Sequence, residues 1–254
     1  MTTDFPTFRL FSPRFAALPS ADAADLLAGY ATENRSYGVT ALAVHGLMES
    51  VLQAPLGEKI NNIDMVLPDG QPIVWALRLF HQVPLQQKVP GPDLTLDVLK
   101  RASDQGLGVF LYGSTQDTLE KFSAFIELNY PGVVLCGVHE DRFRDASSKE
   151  DLADIHRINA SGAHIVLVGR GCPRQEHWVA DHVGKVNAVM LAVGAAFDYH
   201  AGKLQRAPRW MQISGLEWAY RLMQEPGRLW KRYLVSNSWF LYSVLKHKLL
   251  VKAP

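Results

Sequence analysis

The feature that most constrains the fold is an alternation of short apolar segments with segments of helical periodicity over the first 200 residues. The apolar segments are candidate strands at 39–44, 65–67, 108–112, 133–136, 164–168 and 188–193. Candidate helices precede and separate them at 21–35, 45–54, 71–82, 94–105, 115–129, 148–161 and 174–183. This alternation is typical of a largely parallel sheet with helices on both faces. The sequence therefore predicts an α/β, Rossmann-like body.

The alternation stops after Phe197, and only helical patterns follow. They cover about 209–224, 227–235 and 238–250, with Pro226-Gly227 separating the first two. Proline and glycine interrupt helices, so a boundary is expected there. The sequence thus predicts a catalytic body over 1–200 and a helical appendage over 201–254.

Charge and tryptophan are concentrated in the appendage. From residue 201 onward there are ten Lys or Arg and two acids, a net charge of +8, whereas the first 200 residues carry −7. Four of the six tryptophans lie there as well. Basic and amphipathic aromatic side chains together suit an anionic membrane surface, which is the interpretation we favour. Packing of the tryptophans into the body is the alternative, and nucleic-acid binding is least favoured.

Composition points to the cytoplasm and gives no sign of a metal site. The two cysteines, Cys136 and Cys172, form no Cys-x-x-Cys or Cys/His cluster, as expected in a reducing compartment. No secretory leader is evident, and no apolar stretch reaches the length of about 18 residues needed to span a bilayer. We therefore expect a cytoplasmic protein that is peripheral on the inner membrane.

The first candidate site is Leu67-Pro-Asp-Gly70, between a predicted strand and a predicted helix. Ligands of open α/β sheets bind at the carboxyl ends of the strands, which places Asp69 at the functional edge. A carboxylate there can act as a general base towards an attacking hydroxyl. Pro-Asp-Gly is also an ordinary turn, so the motif alone does not decide between the two.

Two glycine-containing turns also follow predicted strands. Gly113-Ser114 and Gly169 to Gly171 each precede a helix, whose free N–H groups can hold a diphosphate. Gln175, at the start of the second of these helices, offers an amide donor and acceptor for a base edge or a sugar hydroxyl. Single glycines after strands are common, and the third glycine of a dinucleotide fingerprint is missing.

The appendage carries a row of arginines. On one continuous helix Arg221, Arg228 and Arg232 would lie within about 40° of each other. Guanidinium groups match phosphate geometry, so such a row can bind a diphosphate, although solvated surface arginines are equally compatible with the pattern. No Asp-x-Asp pair, P-loop, Gly-x-Ser-x-Gly elbow or His-Glu-x-x-His motif occurs in the chain. Protein cations rather than a metal ion are therefore expected to carry leaving-group charge in a sugar transferase.

Taken together, these segments resemble the WecG/TagA/CpsF glycosyltransferases, known as glycosyltransferase family 26. The matching segments occur in family order over about residues 38–235. They are Leu67-Pro-Asp-Gly70, Tyr112-Gly-Ser114, Ile158-Asn-Ala-Ser161, Val168-Gly169 through Pro173-Arg-Gln-Glu-His-Trp178, Val193-Gly194 through Phe197-Asp198, Arg206-Ala-Pro-Arg-Trp210, Gly215-Leu-Glu-Trp218, Tyr220-Arg-Leu222 and Glu225-Pro226 with Arg228.

The resemblance implies inverting, metal-independent transfer from a UDP-sugar to a sugar on a polyprenyl diphosphate. It implies Asp69 as the catalytic base and a C-terminal appendage that docks at the membrane. The substrate-binding residues expected from the motifs and the resemblance are Thr40, His45, Gly113, Ser114, Gly169, Gly171, Gln175, Arg206, Arg221 and Arg228. No cofactor, metal or nucleic acid is expected, and the oligomeric state, including a homo-oligomer, is left open.

Two segments depart from the family pattern. Ala43 stands at the aligned position of a strand-end asparagine, and His139-Glu-Asp-Arg-Phe143 replaces a turn that ends in Gly-Tyr-Phe. The donor sugar therefore stays open between N-acetylmannosamine, glucose and other hexoses. The same departures support the alternative of a non-catalytic nucleotide- or lipid-binding protein. An oxidoreductase on the same fold is disfavoured by the missing glycine.

Overall fold

Six parallel strands form the central sheet. A computed structural model describes residues 5–83, 85 and 87–251 of the chain, so that 252–254 of the predicted appendage lie outside the described residues. The sheet strands are β3 (Tyr37–Ala43), β4 (Met65–Asp69), β5 (Gly108–Gly113), β6 (Val134–His139), β7 (Ile165–Gly169) and β8 (Val189–Ala192). Their spatial order is β4-β3-β8-β7-β5-β6, and every neighbouring pair is parallel. The predicted α/β architecture with a parallel sheet is confirmed.

Helices cover both faces of the sheet. The helices of the body are α1 (Ser20–Thr32), α2 (Val44–Leu52), α3 (Ala54–Asn61), α4 (Gln71–His81), α5 (Gly91–Gln105), α6 (Gln116–Asn129), α7 (Ser148–Ala160), α8 (Arg174–His182) and α9 (Ala196–His200). One buried core joins the sheet to α2, α3, α4, α7 and α8, and the other joins it to α1, α5, α6 and α9. Within a strand, successive residues enter opposite cores, as Leu111 and Tyr112 do in β5.

The register of the strands brings their carboxyl ends to one edge. Ala43 at the end of β3 pairs with Asp69 at the end of β4, and Gly113 at the end of β5 pairs with Gly169 at the end of β7. The segments that the sequence singles out after separate strands are therefore neighbours in space. This edge carries the candidate site.

The C-terminal region contains three helices, α10 (Arg209–Ile213), α11 (Glu217–Gln224) and α12 (Pro226–Val251). The predicted stretch 209–224 is divided at Gly215, whose φ of +76° is one that glycine adopts without strain. The predicted helices 227–235 and 238–250 are one helix. Pro226 is the first residue of this helix. At that position an N–H would have no acceptor within the helix, so proline is compatible with a helix start.

Four other elements are absent from the sequence-based prediction. These are α3, α9 and an antiparallel hairpin of β1 (Thr7–Arg9) and β2 (Arg14–Ala16). Each strand of the hairpin has three residues and α9 has five, too few for periodicity to be recognised.

Helix α12 returns along the body and packs against α2. Its residue Phe240 is buried in the core shared by α2, α3, α4, α7 and α8, and the Ser236 hydroxyl lies 3.0 Å from Nδ1 of His45 in α2. Within the described part of the chain, no helix combines the length and apolar character needed to cross a bilayer. The division into a body of 1–200 and an appendage stays a prediction.

Candidate active site

A cavity of about 950 Å³ opens at the carboxyl edge of the sheet. Its walls come from the ends of β3, β4, β7 and β8, from Ser114 after β5, and from α2, α4, α8, α9, α11 and α12. The body thus supplies one side and the C-terminal helices the other. A ligand in the cavity would contact both.

Asp69 is the last residue of β4 and lines this cavity. The chain turns at Gly70, with φ of +138°, and α4 begins one residue later. The N–H of Gly91 donates to the Asp69 carboxylate. Burial raises the pKa of Asp69 to about 6, opposed by the nearby cations Lys88 and Arg221 and assisted by Glu217. A carboxylate with this pKa is suited to accept a proton near neutral pH.

An ion-pair network holds the charges next to Asp69. The Lys88 ammonium donates to the Glu217 carboxylate. Arg206 lies behind Glu217, with Nε 3.5 Å from Glu217 Oε1, and it donates to Asp93 at 2.6 Å. The network therefore joins α11 to the loop after α4 and to α5. Lys88 and Glu217 line the cavity, whereas Arg206 does not.

Three arginines of the C-terminal helices line the cavity. Arg221 is on α11, whereas Arg228 and Arg232 are one turn apart on α12. Arg228 makes two hydrogen bonds to Glu225, at 2.8 and 2.5 Å. The buried Nε atoms of Arg221 and Arg232 have no hydrogen-bond acceptor among the described residues, although Arg221 Nε lies 3.7 Å from Glu225 Oε2. Buried N–H donors of this kind suit the oxygens of an anionic ligand.

The arginines converge by a different route from the one that the sequence suggested. The alignment on one face holds only for one continuous helix, and the boundary expected at Pro226 falls between Arg221 and Arg228. The turn between α11 and α12, rather than helical periodicity, brings the three side chains to one cavity.

A buried polar cluster forms the cavity wall at the start of α8. The Thr40 hydroxyl donates to Glu176 Oε1 at 3.2 Å, and the Gln175 amide donates to the same oxygen at 2.9 Å. Burial raises the pKa of Glu176, and the neighbouring Cys172 thiol donates to it as well. Since the amide nitrogen of Gln175 is engaged, its carbonyl oxygen is left buried without a donor among the described residues. Gln175 therefore offers the cavity a hydrogen-bond acceptor.

The glycines at the ends of β5 and β7 allow these strands to approach closely. A Cβ on Gly113, whose φ is +112°, would lie 2.7 Å from the backbone of Gly169. The Ser114 N–H donates to the Gly169 carbonyl at 2.9 Å. Gly169, Gly171 and Ser114 line the cavity, and α8 begins shortly after Gly171. The Gln175 N–H donates back to the Gly171 carbonyl at 2.9 Å, which closes the turn onto the helix.

Most of the predicted site residues meet at this one place. Those that line the cavity are Asp69, His45, Ser114, Gly169, Gly171, Gln175, Arg221 and Arg228. Thr40, Gly113 and Arg206 lie behind the wall, where Thr40 supports Glu176, Gly113 permits the strand approach and Arg206 supports Glu217. A direct contact of these three with substrate stays a prediction.

Several cavity residues were not among the predicted site residues. They are Lys88, Glu176, Asp198, Glu217, Arg232 and Tyr233. Glu217 and Asp198 lie within the matched family segments, and Arg232 within the arginine row, so those patterns carried a signal. Lys88 lies in an irregular segment before α5 and meets Glu217 across 129 residues of sequence, which no local pattern indicates.

The segment 139–143, which departs from the family pattern, does not line the cavity, whereas Ala43 does. The segment is fixed by ion pairs instead: Asp141 accepts from Arg170 at 3.2 Å and from Arg174 at 2.9 Å, and Arg142 pairs with Asp154 at 2.6 Å. Any influence of the segment on ligand choice would therefore act through the start of α8.

The fold and cavity define an α/β protein with a ligand site at the carboxyl edge of its sheet, where a carboxylate faces a group of guanidinium side chains. Among the described residues, no three His, Cys, Asp or Glu side chains are grouped so that they could hold a metal ion. The sequence model of the glycosyl transferase WecG/TagA/CpsF family matches residues 8–253. The chain belongs to this family, which confirms the resemblance seen in the sequence.

A curated relative agrees with this assignment. The chain is 31% identical over 199 residues to the N-acetylglucosaminyldiphosphoundecaprenol N-acetyl-beta-D-mannosaminyltransferase of Bacillus spizizenii (strain ATCC 23059 / NRRL B-14472 / W23). The aligned region covers 78% of this chain and 74% of the relative. This protein is similar to a glycosyltransferase over most of its length.

Proposed function

We propose that the protein transfers a sugar from a UDP-sugar to a saccharide on a polyprenyl diphosphate, with inversion at the anomeric carbon and without a metal ion. One observation supports this most: Asp69, with its raised pKa, and three arginines line the same cavity from opposite sides. A proton acceptor facing phosphate-binding groups is the arrangement that displacement of a nucleoside diphosphate by a hydroxyl requires.

In the proposed reaction, the acceptor hydroxyl loses its proton to the Asp69 carboxylate. The hydroxyl oxygen forms a bond to the anomeric carbon while the bond from that carbon to the β-phosphate oxygen breaks. The bonding electrons leave with UDP. Because attack and departure occur on opposite faces of the sugar in a single displacement, the anomeric configuration is inverted.

Negative charge grows on the departing UDP, and the guanidinium groups would stabilise it. Arg221, Arg228 and Arg232 carry that role, assisted by the positive end of the α8 helix dipole near Gly171. The buried Nε of Arg232 supports this assignment most, because it lacks an acceptor within the described chain, whereas Arg221 Nε lies 3.7 Å from Glu225. These cations take the place that a divalent metal has in other sugar transferases. Gln175 and His45 would contact the donor or acceptor sugar.

The acceptor is proposed from the relative, whose name specifies N-acetylglucosaminyldiphosphoundecaprenol as a substrate. Such a lipid resides in a membrane, and the C-terminal helices offer a surface to reach it. They expose Trp210, Ile213, Met223, Trp230, Leu234 and Trp239. Basic residues of the same helices would face anionic lipid on the cytoplasmic side of the inner membrane.

The test is a donor and acceptor screen. Purified protein is incubated with UDP-N-acetylmannosamine, UDP-N-acetylglucosamine or UDP-glucose and with N-acetylglucosamine diphosphate carrying a short prenyl chain. Mass spectrometry detects the lipid-linked disaccharide, and NMR gives its anomeric configuration. We expect one donor to yield inverted product with and without EDTA. Calorimetric binding of UDP without product from any pair would instead favour the non-catalytic binding protein.

A further inference from the structure

We infer that the cavity continues into a slot for the isoprenoid chain of the acceptor, an assignment that rests on the proposed function. The slot is lined by Val44 of α2, Trp75 and Leu79 of α4, and Phe240, Leu241 and Val244 of α12. These six residues are called the prenyl slot below. Its ligand class is a prenyl diphosphate, with the chain between α4 and α12.

Two helices, α12 and α4, line both the prenyl slot and the charged part of the cavity. Along α12, the lining begins with Arg228 and Arg232, and from residue 240 onward it consists of Phe240, Leu241 and Val244. Arg228 and Val244 are separated by 16 residues, or about 24 Å of helix. The cavity is therefore cationic at one end of α12 and apolar at the other.

Helix α4 provides the opposite wall, which likewise changes from polar at its start to apolar further along the helix. It starts directly after Asp69, and beyond Gln71 its lining residues are Pro72, Trp75, Ala76 and Leu79, all apolar. The far ends of the two helices meet where the ring of Phe80 lies 4.7 Å from that of His247. A chain attached to a sugar at Asp69 thus has an apolar path outward between two helices that are joined at their ends.

The slot leaves apolar surface uncovered. Trp75 is 52% exposed, Leu79 49% and Leu241 62%, even though all three line one cavity. Exposed apolar surface rimmed by polar groups marks a binding site. The occupant must be apolar where it meets these side chains and polar at the end that reaches the charged part of the cavity. A prenyl diphosphate has both properties in one molecule, whereas a bilayer surface or a second protein copy would not enter the cavity as far as Asp69.

The test compares farnesyl diphosphate with methyl diphosphate by isothermal titration calorimetry, in buffer without vesicles or detergent and below the micelle concentration. The full-length wild-type protein is expected to bind farnesyl diphosphate at least about 100-fold more tightly, because many methylene and methyl groups leave water. Equal affinities would overturn the slot.

Leu241→Gln and Leu245→Gln provide a matched pair. The two leucines are one turn apart on α12 and are 62% and 61% exposed, but only Leu241 lines the cavity. We expect Leu241→Gln to weaken farnesyl diphosphate binding roughly tenfold and to leave methyl diphosphate binding unchanged. Leu245→Gln should change neither affinity. Equal losses in both variants would overturn the slot, and thermal melting followed by circular dichroism checks that each variant is folded.

The two proposals can fail separately. If the wild-type protein transfers sugar but binds the two diphosphates with equal affinity, the prenyl slot is wrong and the proposed function stands. If the protein prefers farnesyl diphosphate but transfers sugar to no acceptor, the prenyl slot is supported and the proposed transferase activity is wrong.

Discussion

The pKa of Asp69 is set by opposing effects, and their balance determines the pH range in which its carboxylate can accept a proton. Removal from water favours the neutral acid and is the largest effect, while Lys88 and Arg221 favour the carboxylate and Glu217 opposes it. The resulting pKa of about 6 lies above the ordinary value of 3.8. A general base works best when its pKa is close to the working pH.

This pKa predicts the acid side of the pH profile. The reactive form of Asp69 is the carboxylate, so kcat/KM should fall tenfold per pH unit as the pH drops below about 6 and be level above it until another group titrates. Initial rates with a short-chain acceptor between pH 4.5 and 8 measure this limb. A profile that stays level down to pH 4.5 would show that Asp69 is not the base.

The neighbours of Asp69 should shift this limb in opposite directions. Lys88→Met removes a cation and leaves Glu217 paired with Arg206 alone, so the pKa of Asp69 should rise and the limb should move to higher pH. Glu217→Gln removes an anion, and the limb should move to lower pH. Lys59→Met is the matched control, because Lys59 pairs with Asp181 at 2.6 Å on the surface and does not line the cavity. Identical pH profiles in all three variants would contradict the electrostatic account.

For individual residues, the sequence identified side chains at strand ends but not the residues that pair with them in the fold. Asp69, Gln175 and the two glycine turns follow apolar runs, so their edge of the sheet could be predicted. Glu176 could not be distinguished from a helix-surface residue, because its hydrogen-bond donor Thr40 lies 136 residues away in the sequence. Lys88 was missed because its segment lacks periodicity.

At the scale of elements, the end of β5 depends on a glycine. We expect Gly113→Ala to lower the free energy of unfolding by about 2–5 kcal/mol, since the φ of +112° is strained for alanine and its Cβ would collide with the β7 backbone. Gly106→Ala is the control: Gly106 also has a positive φ, of +66°, but a Cβ there meets nothing within 4 Å. Its expected loss is about 1 kcal/mol. Urea denaturation measures both, and equal losses would contradict the role of close strand approach.

The sheet strands were the most predictable elements, because a buried parallel strand is an uninterrupted apolar run. The C-terminal helices were less so. Pro226 can either end one helix or begin the next, and only the packing of α12 on α2 and the burial of Phe240 select a single 26-residue helix. The position of the arginines relative to Asp69 follows from that packing, and no local pattern contains it.

At the scale of the whole molecule, charge and exposed apolar side chains lie together in the C-terminal helices. The segment after residue 200 carries +8 and the remainder −7. Exposed tryptophans accompany the charge, with Trp210 63% and Trp230 56% exposed. We therefore expect the C-terminal helices, rather than the rest of the chain, to face an anionic bilayer.

Vesicle sedimentation tests this asymmetry. We expect the protein to bind phosphatidylglycerol-containing vesicles more tightly than neutral ones and to lose much of that preference in 1 M salt, where the screening length falls to about 3 Å. Exchange of both Trp230 and Trp239 for serine should weaken binding at least about tenfold. Leu128→Ser, at an exposed position of the body, should have no effect. Equal binding by wild type and the double variant would rule out this surface.

The measurement that tests the account most directly is the single-turnover rate of Asp69→Asn, made alongside its UDP affinity. The variant should fold and bind UDP at least as well as wild type, because a buried carboxylate with a raised pKa is replaced by a neutral amide of the same shape. Its transfer rate should fall by about 10²–10⁴-fold. Transfer near the wild-type rate with UDP still bound would contradict the assignment of Asp69 as the base.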